Sequence, residues 1–218
     1  MVQDLSFIHR FEQGASPQAS AFLLLHGTGG NEDDLLPLGR LISPNSSFLS
    51  PRGKVLENGM PRFFRRLAEG VFDQEDVRRR AHELADFVVE ARKAYGITAP
   101  VALGYSNGAN IAAAMMLLEP KVLLGAILMR AMVPLSELPK PDLTGKSVLI
   151  LSGAQDPIIP PDNASRLAQI LKSAGANVEH RVLPVGHELS QSDVTIAKSW
   201  LGLQKTFLDT LGAVTQEQ

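Results

Sequence analysis

Apolar positions along this chain alternate between two spacings. Ala21–Leu25, Val101–Leu103, Leu123–Leu128 and Ser147–Leu151 are short, nearly unbroken apolar runs, the pattern of strands covered on both faces. Leu5–Phe11, Ser47–Leu49 and Val178–Leu183 are weaker runs that complete the expected strands. Between them the spacing lengthens. From Gln74 to Tyr95 the residues Val77, Ala81, Leu84, Val88 and Ala91 form one helical stripe, with Asp73 placed as N-cap and Gly96 as terminator. Ala164–Ala174 repeats the arrangement, with Asp162 or Asn163 as cap and Gly175 as stop. Ala109–Leu118 reads as a third helix, whose Ala109, Ala112 and Ala113 let it lie close to a sheet. Strands alternating with helices predict an α/β fold, a mostly parallel sheet with helices on both faces. No internal repeat or low-complexity linker breaks the pattern, so residues 1–218 read as one domain.

Composition narrows the function classes. A net charge of −2 offers no field suited to nucleic acid or an anionic membrane. No apolar run is long enough for a membrane span, and Met1–Gly14 lacks the basic-then-apolar layout of a secretory signal. The absence of cysteine excludes disulfides, thiolate metal sites and cysteine nucleophiles. Cytoplasm is the default compartment.

Against this background one pentapeptide stands out. Gly104-Tyr105-Ser106-Asn107-Gly108 joins a strand to a helix. A serine on that sharp turn is pushed into a strained, exposed position above the sheet, over the helix N-terminus. Glycines are needed on either flank because a Cβ would clash as the turn closes. Alone, the motif is a common glycine-rich turn; its flanks make Ser106 a candidate nucleophile.

Ligands of open α/β sheets bind beyond the carboxyl ends of the strands. Ser106, Asp156, His187 and the loop His26-Gly27-Thr28-Gly29-Gly30 each follow a predicted strand and so converge on one rim. A serine needs a histidine to take its proton, and the histidine needs an acid to fix its tautomer. Asp162 is the rival acid, but a capping role suits it better; Asp142 sits less well, and Asp193 resembles a capping partner of Ser190. His180 lies within a strand, His82 on the charged side of a helix, and His9 has no partner for chemistry, so these read as structural or solvated. The backbone N–H groups of Thr28 and Asn107 are placed to form an oxyanion hole. A phosphate loop is the alternative for residues 26–30, but no Gly-Lys-Ser/Thr follows. The acidic run Glu32-Asp33-Asp34 is read as favourable charge at a helix N-terminus rather than as metal ligands, and no metal or cofactor is expected.

These segments together resemble the α/β-hydrolase superfamily, in its phospholipase/carboxylesterase (acyl-protein-thioesterase-like) family. The resemblance rests on Leu24–Gly30, Gly104–Ala109, Gly153-Ala154-Gln155-Asp156-Pro157 and Gly186-His187-Glu188, and it covers nearly the whole chain. Glu57–Arg66 further resembles a bacterial branch of methylhydroquinone-resistance-type hydrolases. It implies a serine carboxylesterase acting on small or short-chain esters through an acyl-enzyme on Ser106, and it allows a homodimer. The thioesterase-like members usually carry Gln-Gly-Gly after the serine, where this chain has Asn107-Gly108-Ala109. Two alternatives stay open: a thioesterase or lysophospholipase on longer acyl chains, and a ligand-sensing protein that keeps the fold without catalysis. A dienelactone hydrolase is disfavoured by the missing cysteine.

Cap-bearing members of the superfamily insert helices between the strands placed here at Leu123–Leu128 and Ser147–Leu151. This interval is short and carries Pro134, Pro139 and Pro141, so no cap domain is expected and the cleft should be open and shallow. Ser50–Gly70 is the remaining wall. Phe63, Phe64, Met132 and Ile158 are candidate substrate contacts, with core packing the equal alternative. Arg62, Arg65, Arg66 and Arg130 are candidates to grip an anionic group; solvated surface suits the first three, and a structural ion pair suits Arg130 as well.

Overall fold

The computed structural model describes residues 5–16 and 20–214, with side chains as far as Leu203 apart from Pro161. The chain runs β1 (His9–Glu12), β2 (Ala21–Leu25), α1 (Leu36–Ile42) and β3 (Ser47–Pro51). Two small hairpins follow, β4 (Val55–Glu57) with β5 (Met60–Arg62) and β6 (Arg66–Ala68) with β7 (Val71–Phe72). Next come α2 (Gln74–Tyr95), β8 (Val101–Tyr105), α3 (Asn107–Leu118) and β9 (Gly125–Met129). The last elements are β10 (Ser147–Gly153), α4 (Pro161–Ser173), β11 (Asn177–Leu183) and α5 (Gln191–Val214).

The main sheet has the order β1-β3-β2-β8-β9-β10-β11. All its pairings are parallel except that of β1 with β3. Period-two alternation divides the core into two layers. Leu23 and Leu25 of β2 face α2, α3 and α4, whereas Phe22 and Leu24 face α1 and α5. Both sheet faces are therefore covered, which is why the strand sequences are apolar throughout. Ala109, Ala112 and Ala113 of α3 are fully buried. Their small side chains let this central helix sit beneath the pentapeptide turn.

Local signals decide the helix ends. The Asp73 carboxylate accepts the Asp76 N–H at 3.1 Å, and Gly96 ends α2 in the left-handed region at φ 65°. The cap expected for α4 differs. Pro160 occupies the N-cap and Asp162 lies within the first turn, while the Asn163 Oδ1 instead accepts the Val133 N–H at 2.7 Å. Its stop is as read, with Gly175 at φ 97°. The first strand also begins later than the apolar run suggests, because Phe7 turns inward against Phe87 at a ring separation of 4.9 Å.

Residues 130–146, between β9 and β10, contain neither helix nor strand, so no cap covers the sheet there. Ser50–Gly70 is not a plain loop. Its first hairpin turns through Asn58 and Gly59, at φ 52° and 80°, the conformation Asn-Gly favours in two-residue hairpins.

Candidate active site

Ser106 sits at φ 52°, ψ −114°, a strained backbone held between β8 and α3. Its N–H donates to the Met129 carbonyl at 2.9 Å, which ties the turn to the neighbouring strand. The flanking glycines are required by contact. A Cβ on Gly104 would lie 2.7 Å from the Ala109 backbone, and one on Gly108 only 1.9 Å from the Leu25 carbonyl oxygen.

The three residues the sequence placed on one rim meet there. Asp156 is a carboxylate, and His187 Nδ1 lies 2.8 Å from its Oδ2. An ionised carboxylate only accepts, so Nδ1 carries the proton and Nε2 is left to accept from the Ser106 hydroxyl at 3.0 Å. The other oxygen of Asp156 accepts the N–H groups of Ile158 and Ile159 at 2.8 and 3.1 Å, so the carboxylate cannot rotate away. The Asp156 side chain is 2% exposed and that of His187 16%, which shields the pair from competing water. Tyr105, missed by sequence reading although it lies within the pentapeptide, donates its hydroxyl to the His187 carbonyl at 3.2 Å. Burial, aided by nearby Asp156, Glu188 and Asp193 and opposed by Arg130, raises the Tyr105 pKa and keeps that proton in place.

Thr28 and Asn107 line the same cavity as Ser106 and His187. The loop bearing Thr28 is anchored from both sides. His26 Nε2 accepts the Gly53 N–H at 2.9 Å, and the Gly29 N–H donates to the Pro61 carbonyl at 2.9 Å. Burial lowers the His26 pKa against the opposing pull of the Gly27 carbonyl, Asp34 and Glu32, so the ring stays neutral and can accept. The acidic run does not head a helix as expected, since α1 begins only at Leu36. Glu32 is engaged by Arg52 at 2.5 and 2.7 Å, and Asp33 by Arg10 at 2.8 Å. Among the described residues no cluster of three or more His, Asp or Glu could hold a metal ion.

The cavity measures about 230 Å³, below the ~300–1,000 Å³ usual for ligand pockets. Met132 and Ile158 line it. Phe63 and Phe64 do not. They are 3% and 0% exposed, Phe63 packed against His26 in a tilted arrangement at 4.7 Å and Phe64 edge-on to Phe72 at 5.0 Å. Both consecutive rings turn into the core, and Phe72 from β7 lines the cavity instead.

Arg130 lines the cavity too, but its donors are engaged elsewhere. It is fully buried, and its five N–H donors are met by Asp193 (2.7 and 2.9 Å) and by the carbonyls of Gly186, Leu151 and Glu188 (3.0, 3.3 and 2.8 Å). No donor remains for a ligand. Asp193 is in turn the partner of Ser190, accepting both its N–H and its hydroxyl at 2.8 Å.

Arg65 pairs with Asp73 on the surface, as a solvated charge should. Arg62 does not fit that reading. It is 3% exposed, lines the cavity and donates to Thr28 Oγ1 at 2.6 Å, and burial lowers its pKa against the pull of Glu57. Arg66 and Asn110 also line the cavity. The sequence reading did not single out Asn110, although after Gly108 it is the one polar side chain of α3 and that anomaly could have marked it.

The family model of the phospholipase/carboxylesterase family matches residues 8–205. The chain belongs to that family. Within it, "Putative hydrolase MhqD" of Bacillus subtilis (strain 168) is 45% identical over 194 residues, 88% of this chain and 96% of that one. The Bacillus cereus carboxylesterase crystal structure is 47% identical with a TM-score of 0.88, covering 90% and 94% of the two chains. YahD, solved with malic acid, is 30% identical with a TM-score of 0.85 over 90% and 98%. The architecture is that of an α/β-hydrolase, and this member of the phospholipase/carboxylesterase family is a carboxylic ester hydrolase.

Proposed function

We propose that this protein is a serine carboxylesterase acting on small or short-chain esters, with Ser106, His187 and Asp156 as its catalytic residues. The observation that carries the reading is the chain of hydrogen bonds from Ser106 to His187 at 3.0 Å and from His187 to Asp156 at 2.8 Å. The Ser106 Oγ attacks the ester carbonyl as His187 Nε2 takes its proton. Asp156 holds the ring in that tautomer and stabilises the imidazolium. The backbone N–H groups of Asn107 and Thr28 receive the oxyanion, each such donor being worth about 3–4 kcal/mol in the transition state. Collapse expels the alcohol, protonated by His187, and leaves an acyl group on Ser106. Water activated by His187 then attacks that ester and releases the acid.

The small cavity and the missing cap support short acyl groups over lipids. YahD, a relative solved with malic acid, agrees with a small carboxylic acid as product. In this reading a single domain acts in the cytoplasm on a small molecule.

Hydrolysis of p-nitrophenyl esters from acetate to palmitate, for wild type and Ser106→Ala, tests it. Turnover that peaks at short chains and vanishes in the variant is expected. A palmitate optimum moves the protein to the thioesterase or lysophospholipase reading. No turnover of any ester by folded protein, with no labelling by a fluorophosphonate, moves it to ligand sensing.

A further inference from the structure

Asn107 and Asn110 lie one turn apart at the start of α3 and are 2% and 5% exposed. Each side-chain carbonyl is already taken. Asn107 Oδ1 accepts the Phe63 N–H at 2.7 Å, and Asn110 Oδ1 accepts the Met132 N–H at 2.7 Å. A backbone N–H can only donate, so these bonds fix both amides and leave their NH₂ ends as the unused groups. Asn107 Nδ2 is fully buried without an acceptor among the described residues. Such an orphan buried donor calls for a partner, which at the wall of a cavity a ligand or an ordered water can supply.

Both asparagines line the cavity beside Ser106, and so do Arg62 and Arg66. The two guanidiniums share one carboxylate: Glu57 lies 3.1 Å from Arg62 Nε and 2.8 Å from Arg66 Nε. Two cations with one anion leave a positive excess at this wall. Arg62 Nη2 meets no acceptor among the described residues. No Asp or Glu lines the cavity. The lining offers unspent donors and a net cation, while Glu57, outside the lining, pairs with both guanidiniums and keeps its Oε2 buried without a hydrogen-bond partner among the described residues. A dominant donor set of this kind is complementary to an anion rich in acceptors.

We propose that the preferred esters carry a free carboxylate, as short half-esters of dicarboxylic acids do, and that Arg62, Arg66, Asn107 and Asn110 bind it. This rests on the reading of Ser106 as the nucleophile, because the half-ester must present its other end there.

The test separates binding from chemistry. Monomethyl succinate and its neutral isostere methyl 4-methylpentanoate are titrated calorimetrically into folded Ser106→Ala protein, alone and combined with Arg66→Gln or Asn110→Asp. Asn110→Asp keeps the acceptor for the Met132 N–H and replaces a donor by a negative charge. The half-ester should bind at least about tenfold more tightly than the isostere. Raised salt should weaken that preference, and either added substitution should remove most of it. Equal binding of the two esters, binding of neither, or a preference indifferent to both substitutions overturns the proposal. Turnover of phenyl acetate by wild type is scored separately, so a failure of the serine mechanism is not mistaken for a failure of the carboxylate site.

Discussion

Arg130 and Asp193 face each other through both carboxylate oxygens, at 2.7 and 2.9 Å, with neither side chain exposed to solvent. Of the remaining Arg130 donors, one meets the Leu151 carbonyl and two hold the carbonyls of Gly186 and Glu188, the two neighbours of His187. The pair therefore positions the histidine without touching substrate. Asp193→Asn leaves a buried guanidinium without its counterion, a change that typically costs about 3–5 kcal/mol. Urea denaturation should register that loss. The same variant should lower kcat on p-nitrophenyl butyrate more than it raises KM, because the histidine is displaced while the pocket stays intact. A variant as stable as wild type would show that the pair is not essential to the fold.

The same carboxylate has a pH signature. Burial pushes the Asp193 pKa up, but hydrogen bonds from Arg130 and from Ser190, with the Arg130 charge, outweigh it and hold the pKa below the ordinary range. A depressed folded-state pKa contributes stability above the unfolded value, near ~3.9 for Asp, and that stability is lost as pH falls through the folded value. Wild type should thus lose stability on acidification below about pH 4 more steeply than Asp193→Asn. Melting curves across that window, read as the difference between the two proteins, exclude the other carboxylates common to both.

Much of this arrangement was legible in the sequence because it is set by local rules. A Gly-x-Ser-x-Gly turn after an apolar run fixes Ser106 at the sheet rim, and strand order in the chain carries Asp156 and His187 to the same rim. The walls were less legible. Phe63 and Phe64 turn inward and Arg62 toward the cavity because of two small hairpins, and only the Asn58-Gly59 dipeptide announced the first of these. Arg130 could not be assigned from its neighbours in sequence, since its counterion lies on the first turn of α5. Contacts between residues far apart in the chain leave no local mark.

Asp156→Asn should separate orientation of His187 from simple packing. The Asp156 Oδ1 already accepts two N–H groups, so the carbonyl oxygen of an asparagine is retained there and its NH₂ is presented to His187 Nδ1. A donor at that point selects the tautomer whose Nε2 is protonated and cannot take the Ser106 proton. In serine proteases the equivalent change lowers kcat by about 10⁴. A loss of that order, with the melting temperature nearly unchanged, is expected in ester hydrolysis. Activity within tenfold of wild type would remove Asp156 from the catalytic set.

Two glycine substitutions should differ sharply, one in a hairpin turn and one in the first turn of α3. At Gly59, φ 80° with nothing near a new Cβ, alanine meets only backbone strain of about 1–2 kcal/mol. At Gly108 the new Cβ would stand 1.9 Å from the Leu25 carbonyl oxygen, so backbone must move. Overpacking of this kind reaches about 3 kcal/mol and more. Gly108→Ala should express poorly or melt well below Gly59→Ala, and it should lose activity because α3 carries Asn107. Comparable melting temperatures would show that the start of α3 tolerates a shift the geometry does not admit.

His26 makes the Thr28 loop sensitive to mild acid. Its ring accepts the Gly53 N–H at Nε2 and faces the Gly27 carbonyl at 2.7 Å through Nδ1, so only the neutral form satisfies both partners. Burial lowers its folded-state pKa, whereas the unfolded chain takes up the proton near the ordinary value of ~6.5. As pH falls below that value the unfolded state binds the proton first, and stability declines until the folded value is reached. Wild type should be less stable at about pH 5.5 than at about pH 7.5, and the Gly53 amide should exchange faster at the lower pH. His26→Gln, which keeps an acceptor for Gly53 but does not titrate, should lack this part of the decline; His180, also lowered by burial, contributes equally to both proteins and cancels. A pH dependence identical in the two proteins would mean that His26 is protonated equally in the folded and unfolded states, contrary to its burial.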